Sequence, residues 1–141
     1  MQVQAYLNFG NRCEEALEFY KKNIGAEVTM MMRWKESPDP AMKAPPGREE
    51  KIMHATFKVG ETTLMADDGM GPETAEYKGF TLSITVPNDA EAKRVFDALG
   101  NGGSVKMPLM KTFWTSSFGM LTDKFGVPWM VNVEAVASQK Q

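Results

Sequence analysis

Six residues recur in the same order and at the same spacing in the two halves of the chain, and this duplication constrains the fold more than any other feature. Every pair is separated by 77 positions. The pairs are Asn11 and Asn88, Glu14 and Glu91, Phe19 and Phe96, Gly25 and Gly102, Val28 and Val105, and Met30 and Met107. A shared period of this length indicates one supersecondary unit that is used twice.

The first copy has the pattern of a β-α-β-β-β unit. Apolar and polar residues alternate over 3–9, which predicts a strand with one buried face. Asn11 is the predicted N-cap of the following helix, with Glu14 completing a capping box. Gly25 allows the left-handed turn that ends this helix. The later elements are a strand over 28–34, a proline-rich loop over 35–50, and a hairpin over 51–59 and 62–67.

The second copy repeats this order. Asn88 is the predicted N-cap of its helix, and Glu91 completes the capping box. The predicted strands lie over 80–86, 105–109, 117–122 and 127–133. We therefore expect a single α+β domain over 1–141, with module one over about 1–68 and module two over about 79–134. The polar segment 135–141 is expected to fray.

Each predicted sheet has one helix to cover it. The helices should pack on the apolar face, which carries Leu7, Phe9, Leu82, Ile84 and Val86. The opposite face is too mixed for a dry core and too aromatic for bulk water. Two curved sheets that face each other across a cavity would satisfy both faces.

Composition excludes several classes of function. The chain has 141 residues, of which 24% are charged and 43% hydrophobic, and its net charge of −2 comes without a basic cluster. Nucleic acid is therefore not an expected partner. The apolar stretches are only as long as strands, so no membrane span is expected. The first residues lack the features of a signal peptide, and we expect a cytoplasmic protein.

Two residue types occur once each. Cys13 falls on the apolar stripe of the first helix, which favours a small core residue over a nucleophile. His54 lies in the middle of the third strand and is either a structurally bonded histidine or a polar anchor or general base. Asp67 and Asp68 should point to opposite faces, and turn formation explains them most simply.

Motifs spread over nearly the whole chain carry a family resemblance. They are Tyr6-Leu7-Asn8-Phe9, Glu14-Glu15-Ala16-Leu17-Glu18-Phe19-Tyr20, Ile52-x-His54-Ala55, Leu64-Met65-Ala66-Asp67, Phe113-Trp114, Gly119-Met120 and Asp123-x-Phe125-Gly126-x-x-Trp129-Met130. The set resembles the vicinal oxygen chelate superfamily (glyoxalase, bleomycin resistance and dioxygenase proteins), and within it the PhnB-like group. The resemblance implies two βαβββ modules, mixed curved sheets around a cavity, and a homodimer.

The resemblance also implies where a metal would bind. In metal-using members, His or Glu at four equivalent strand positions bind one divalent cation. The matching positions here are Gln4, Met65, Thr81 and Met130. Amide, hydroxyl and thioether groups are poor ligands for such ions. The neighbouring positions Ala5, Leu64, Phe80 and Trp129 offer no ligands either. We therefore expect no metal and no other cofactor.

Two hypotheses for the function follow. The first is a metal-free small-molecule-binding protein, similar to the drug-sequestering members of the superfamily. Its expected ligand-binding residues are Gln4, Tyr6, His54, Met65, Thr81, Phe113, Trp114 and Met130. The alternative is a metal-dependent glyoxalase- or dioxygenase-type enzyme with a displaced metal or a His54 base. No glycine-rich loop for S-adenosylmethionine or a dinucleotide follows a strand and opens a helix. Phe113 and Trp114 either close the cavity mouth or form a subunit contact.

Overall fold

The duplicated β-α-β-β-β unit is present in the structure, a computed structural model that describes residues 1–134. The first compact unit spans Met1–Ala75, and the second begins at Glu76. Unit one contains β1 (Tyr6–Asn8), α1 (Cys13–Ile24), β2 (Glu27–Arg33), β3 (Ile52–Val59) and β4 (Thr62–Asp67), with a short 3₁₀ turn over Trp34–Glu36. Unit two contains β5 (Leu82–Val86), α2 (Asp89–Gly100), β6 (Ser104–Met110), β7 (Phe118–Thr122) and β8 (Pro128–Val133). The predicted fraying of 135–141 lies outside the described residues.

The two sheets have the same topology and the same register. Their strand orders are β1-β4-β3-β2 and β5-β8-β7-β6, and only the first pair in each order is parallel. Tyr6 lies opposite Met65 as Ser83 lies opposite Met130. The edge strands β2 and β6 both shift register directly after Val28 and its counterpart Val105. The α+β prediction from the repeat is confirmed. The two units also share this bulge, which was not predicted.

Each helix covers one face of its own sheet, as the apolar stripes predict. The buried stripe of α1 consists of Cys13, Ala16, Leu17 and Tyr20, and that of α2 consists of Ala92, Val95, Phe96 and Leu99. In unit one the Tyr20 ring stacks on Phe57, with 6.3 Å between the ring centroids. Burial of an aromatic side chain of this size contributes roughly 2–3 kcal/mol. Gly25 ends α1 in the left-handed conformation, as predicted.

The first strand of each unit is shorter than the alternation of residues predicts. Strand β1 begins at Tyr6 and not at residue 3, and Val3 is 95% exposed. Its ladder with β4 starts at the hydrogen bond from Met65 N to Ala5 O, so the residues before Ala5 gain no pairing in this sheet. Strand β5 likewise begins at Leu82, and Phe80 is exposed. Alternation alone therefore overestimated both strands.

The predicted capping box of α1 is wrong. The N-cap is Arg12, whose side chain makes no capping bond, and Asn11 lies outside the helix with φ +73°. Its side-chain amide instead donates to the Gly71 carbonyl, and its Oδ1 accepts a 2.6 Å bond from Arg48. The prediction for α2 is correct at Asn88, whose Oδ1 accepts from the Glu91 backbone N–H at 2.8 Å. The Glu91 carboxylate, which was predicted to complete the capping box of α2, pairs with Arg94.

A carboxylate from another strand caps α1 in place of Asn11. Asp68 follows β4 and is only 4% exposed. Its Oδ1 accepts from Cys13 N at 2.8 Å, and its Oδ2 accepts from Ile52 N at 2.7 Å. One side chain therefore joins the ends of β4, α1 and β3, and the negative charge suits the helix N-terminus. Turn formation was an incomplete explanation for this residue.

The proline-rich segment 35–50 is fastened at the same junction. Arg48 is buried and donates from Nη2 to Asn11 Oδ1 and to the backbone oxygens of Asp68 and Gly69. These bonds satisfy part of the guanidinium and attach the end of the loop to the residues that follow β4. Among residues 1–134, no helix has the length and apolar character needed to cross a membrane.

We expect Asp68→Ala to lower the free energy of unfolding by about 3 kcal/mol, because two buried N–H groups lose a charged acceptor. Urea denaturation monitored by circular dichroism measures this change. The matched control is Asp97→Ala, which removes an exposed carboxylate paired with Lys93 on α2 and should cost less than about 0.5 kcal/mol. Equal losses in the two variants would contradict the structural role assigned to Asp68.

Candidate functional site

The face of sheet one opposite α1 carries the candidate site. We call this face the open face of sheet one. The register of the strands places eleven residues on it: Tyr6, Asn8, Glu27, Met30, Met32, His54, Thr56, Lys58, Thr63, Met65 and Asp67. None of the eleven is fully buried, whereas their neighbours Leu7, Ala55, Phe57, Leu64 and Ala66 are buried under α1. Strand alternation explains this division.

Four residues of this face form a hydrogen-bonded group, which we call the polar cluster: Tyr6, His54, Thr56 and Asp67. The Tyr6 hydroxyl lies 3.1 Å from Asp67 Oδ2 and 3.3 Å from His54 Nδ1. On the other side of the imidazole, Thr56 Oγ1 lies 3.3 Å from Nε2. The Tyr6 and His54 rings are tilted at 45° with centroids 5.6 Å apart. Both imidazole nitrogens therefore have partners.

The chemistry of these groups fixes the direction of each bond. An ionised carboxylate only accepts, so the single Tyr6 proton points to Asp67. The Tyr6 oxygen must then accept from His54, which places a proton on Nδ1. In the neutral imidazole Nε2 consequently has a lone pair, and it accepts the Thr56 hydroxyl proton. The bonds run in one direction, from Thr56 through His54 and Tyr6 to Asp67.

Tyr6 is a neutral hydroxyl in this arrangement. Partial burial raises the pKa of Tyr6 above its ordinary value, and the charge and hydrogen bond of Asp67 raise this pKa further. Ionisation would place a phenolate beside a carboxylate in a partly desolvated position. Tyr6 therefore orients other groups and does not serve as a base.

In unit one, the structure brings together Tyr6 and His54, which are two of the predicted ligand-binding residues. Met65 is the Cα partner of Tyr6 and lies on the same face. Gln4 precedes β1 and is half-buried. Asp67 and Thr56 were missed as members of the site. A register argument could have found Asp67, because the pairing of Ala55 with Ala66 places it beside His54.

In unit two, the predicted residues lie on and near the face of sheet two opposite α2. Met130 is on that face, between Ser83 and Met120 in the register, and Thr81 lies one residue before β5. Trp114 packs edge-on against Phe118 at 5.2 Å, and its Nε1 donates to Asn132 Oδ1 at 3.3 Å. The adjacent Phe113 is 96% exposed.

The polar cluster exists in one module only. At the positions that the shared topology and register make equivalent, unit two has Ser83 for Tyr6, Phe118 for His54, Met120 for Thr56 and Asn132 for Asp67. This set contains no ionisable side chain. The duplicated scaffold therefore presents ionisable side chains at these positions in unit one and uncharged side chains at the equivalent positions in unit two.

The residues at the four positions that the resemblance implies for a metal are poor ligands for a divalent cation. Gln4 and Met65 in unit one, and Thr81 and Met130 in unit two, supply no carboxylate or imidazole. Across residues 1–134, no three His, Cys, Asp or Glu side chains gather into a group that could hold a metal ion. We therefore derive no chemical step through a metal.

Cys13 is a core residue, as predicted. It is fully buried at the start of α1. Burial raises the pKa of its thiol, and the nearby Asp68 carboxylate raises it further. A thiol in this environment is a poor nucleophile.

A separate cleft of about 450 Å³ lies in unit one near the start of α1. Its lining residues are Asn11, Arg12, Glu14, Glu15, Arg33, Glu50, Lys51 and Asp68. The guanidinium groups of Arg12 and Arg33 are paired with Glu15 and Glu14. These charges satisfy one another, and none of the predicted ligand-binding residues lines the cleft.

Comparison with known proteins places the chain among close relatives. A protein-family model described as "3-demethylubiquinone-9 3-methyltransferase" matches residues 1–132. Protein YjdN of Escherichia coli K12 is 37% identical over 140 residues, which cover 94% of this chain and 95% of YjdN. The crystal structure of protein PA1353 from Pseudomonas aeruginosa is 44% identical and has a TM-score of 0.84, covering 95% of this chain and 98% of that one.

Two further structures extend the likeness. A PhnB protein from Bacillus cereus, described as a putative 3-demethylubiquinone-9 3-methyltransferase, is 28% identical with a TM-score of 0.77, covering 95% of this chain and all of that one. The fosfomycin resistance protein FosX from Mesorhizobium loti is 10% identical with a TM-score of 0.64, covering 99% of this chain and 96% of that one. The likeness to FosX concerns the fold alone.

The tautomer of His54 is a direct test of the polar cluster. At a pH where the imidazole is neutral, we expect the proton on Nδ1, because the Tyr6 oxygen accepts from that atom. Long-range ¹H–¹⁵N correlation spectra report the tautomer, and the single histidine makes assignment unambiguous. Tyr6→Phe should increase the Nε2–H form.

The control for this experiment is Glu18→Gln, which changes an exposed residue of α1 on the other side of sheet one and should leave the spectrum unchanged. A wild-type imidazole protonated mainly on Nε2 would contradict the direction of the hydrogen bonds.

Proposed function

The chain belongs to the PhnB-like family (3-demethylubiquinone-9 3-methyltransferase-like) of the vicinal oxygen chelate superfamily, and from this premise we propose that it is a small-molecule-binding protein. The observation that carries the proposal is the polar cluster on the open face of sheet one. In ligand sites, a small number of polar groups set among apolar side chains fixes the orientation of the bound compound.

The composition around the polar cluster supports binding of a partly apolar compound. Met30, Met32 and Met65 share the open face with Tyr6 and His54. Methionine side chains are flexible and polarisable, so they adapt to ligands of different shape. Each 100 Å² of apolar surface that a ligand buries there would contribute roughly 2.5 kcal/mol before the costs of binding. The polar cluster would then fix the orientation.

The face of sheet two opposite α2 offers a second set of contacts, which we consider by itself. Trp114, Phe118 and Met130 provide aromatic and thioether surface, and Asn132 adds one polar group. Phe113 extends from the same loop into solvent. We propose that Thr81, Phe113, Trp114 and Met130 are ligand contacts of unit two, as the sequence led us to expect.

The family description names a methyltransferase, and YjdN and PA1353 carry no activity in their names. The sequence has no glycine-rich loop between a strand and a helix that would hold S-adenosylmethionine. We therefore propose binding without methyl transfer and without the metal ligands usual in the superfamily.

An enzyme that uses His54 as a base is the second candidate. The observation in its favour is the orientation of the imidazole, which Tyr6 and Asp67 hold through Nδ1 while the Nε2 lone pair meets only a 3.3 Å contact from Thr56. A substrate that displaced the Thr56 hydroxyl would find a neutral nitrogen able to accept a proton.

Binding can be tested with a thermal-shift screen of small aromatic and amphiphilic compounds. At about 100 times its dissociation constant, a bound compound should raise the melting temperature by roughly 5–10 °C. Tyr6→Phe should weaken the affinity about fivefold, because Asp67 and His54 lose the hydroxyl group that orients them. Glu18→Gln on α1 is the matched control and should bind as wild type.

Elemental analysis of protein purified without added metal tests the metal-dependent alternative, in which a displaced ion would use His54 as a ligand. We expect no stoichiometric divalent ion. A stoichiometric ion that is lost in His54→Ala would favour the enzyme, and failure of every compound to stabilise the wild-type protein would count against binding.

We also propose a homodimer, on the strength of the resemblance to the superfamily and the exposed Phe113. Light scattering coupled to gel filtration should give twice the chain mass of 15.7 kDa. If Phe113 forms the subunit contact and not a ligand contact, Phe113→Ser should weaken the dimer, because an exposed aromatic ring is the type of residue that anchors interfaces. A wild-type protein that elutes as a monomer at micromolar concentration would refute this proposal.

A further inference from the structure

The polar cluster contains one carboxylate and no lysine or arginine. Asp67 is ionised in the hydrogen-bonding arrangement described above, while Tyr6 and Thr56 are neutral hydroxyls. The Asp67 oxygens together offer about four acceptor positions. Two of these are used, by Tyr6 at 3.1 Å and by the Gly69 backbone N–H at 3.0 Å. The carboxylate therefore retains acceptor capacity on a face that is open.

With a neutral His54 imidazole, every polar side-chain proton of the cluster points to another member of the cluster. Thr56 donates to His54 Nε2, His54 donates from Nδ1 to Tyr6, and Tyr6 donates to Asp67. An arriving anion would need donors, and it would have to break this series to obtain one. An arriving donor finds the free acceptor positions of Asp67 without breaking anything.

The other charged residues on the open face of sheet one do not offset Asp67. They are Lys58 on β3 and Glu27 on β2. These two residues of opposite charge are cross-strand Cα partners. Lys58 lies four residues along β3 from His54, which is about 13 Å at the rise of a strand. This separation exceeds the Debye length of about 8 Å at physiological ionic strength. Among the side chains of this face, the charge beside the polar cluster is therefore the negative charge of Asp67.

Building on the proposed function, we infer that the open face of sheet one selects its ligand by charge. It takes an ammonium or another hydrogen-bond-donating head group beside Asp67, and it disfavours carboxylates and phosphonates. Tyr6 receives no proton from such a ligand and keeps its bond to Asp67. The specificity-determining residue is Asp67, and His54 and Tyr6 hold it in place.

The duplication provides a natural design for the test. Unit two has Asn132 at the position equivalent to Asp67, so the fold accepts an asparagine at this point of the register. Asp67→Asn removes the charge with almost no change in shape. It leaves the Asp68 carboxylate, which faces the other side of the sheet and fastens α1.

Three probes with the same phenyl body separate the effect of the head group: 2-phenylethylamine, 2-phenylethanol and 3-phenylpropanoate. Calorimetric or NMR titration of the full chain should give about tenfold tighter binding of the amine than of the carboxylate, the size expected of one partly solvated charge pair. In Asp67→Asn the preference should fall to about twofold or less. Raising the salt concentration should weaken amine binding to the wild type and leave 2-phenylethanol unaffected.

The outcomes separate this inference from the proposed function. Equal or tighter binding of the carboxylate overturns charge selection while small-molecule binding stands. A preference for the amine that persists in Asp67→Asn overturns the role of that residue. If Asp67→Asn does not fold, the salt dependence of the wild type decides, and amine binding that is insensitive to salt overturns the inference. Failure of all three probes to bind overturns both the inference and the site.

Discussion

The Asp68 carboxylate determines how the rest of unit one is arranged. It holds the backbone N–H groups of Cys13 and Ile52 at 2.8 and 2.7 Å, and so it joins the start of the helix to the start of β3. Adjacent residues of an extended chain point to opposite sides. Once Asp68 is held under the helix, Asp67 must lie on the open face of sheet one, where it meets Tyr6. The structural carboxylate thus places the carboxylate of the candidate site.

The two modules show what a shared backbone leaves undetermined. Strand order, register and the bulges after Val28 and Val105 are the same in both. The residues on the face of each sheet opposite its helix are different, since His54 corresponds to Phe118 and Asp67 to Asn132. Packing against the helix constrains the buried face, whereas side chains on the opposite face have few neighbours and can change without disturbing the fold. The chemical differences between the two modules therefore lie mainly on the sheet faces that the helices do not cover.

The sequence predicted most of the architecture because the relevant interactions are local or periodic. The stripe from Cys13 to Tyr20 follows from helical spacing, and the Asn88 cap follows from its place three residues before Glu91. The same local pattern at Asn11 led to a wrong prediction of the cap, because the carboxylate of Asp68, which is 55 residues beyond its partner Cys13, replaces Asn11 at the helix. Asp67 was missed as a member of the candidate site because its contacts are also made between different strands. Its partner Tyr6 is distant in sequence, and the pairing of β1 with β4 brings the two together. His54 lies on the neighbouring strand of a predicted hairpin, so the register alone could have placed it beside Asp67.

The two neighbouring carboxylates also differ in what they contribute to stability. Asp68 is buried and each of its oxygens satisfies a backbone donor, so its bonds are part of the folding free energy. The bonds of the polar cluster are between 3.1 and 3.3 Å long and are partly exposed, and Tyr6 keeps 48% of its surface in contact with solvent. Such bonds exchange with water at little net cost. Displacement of water from the open face of sheet one would therefore leave the junction at Asp68 undisturbed. Of these two adjacent residues, Asp68 holds the fold, and we propose that Asp67 contacts the ligand.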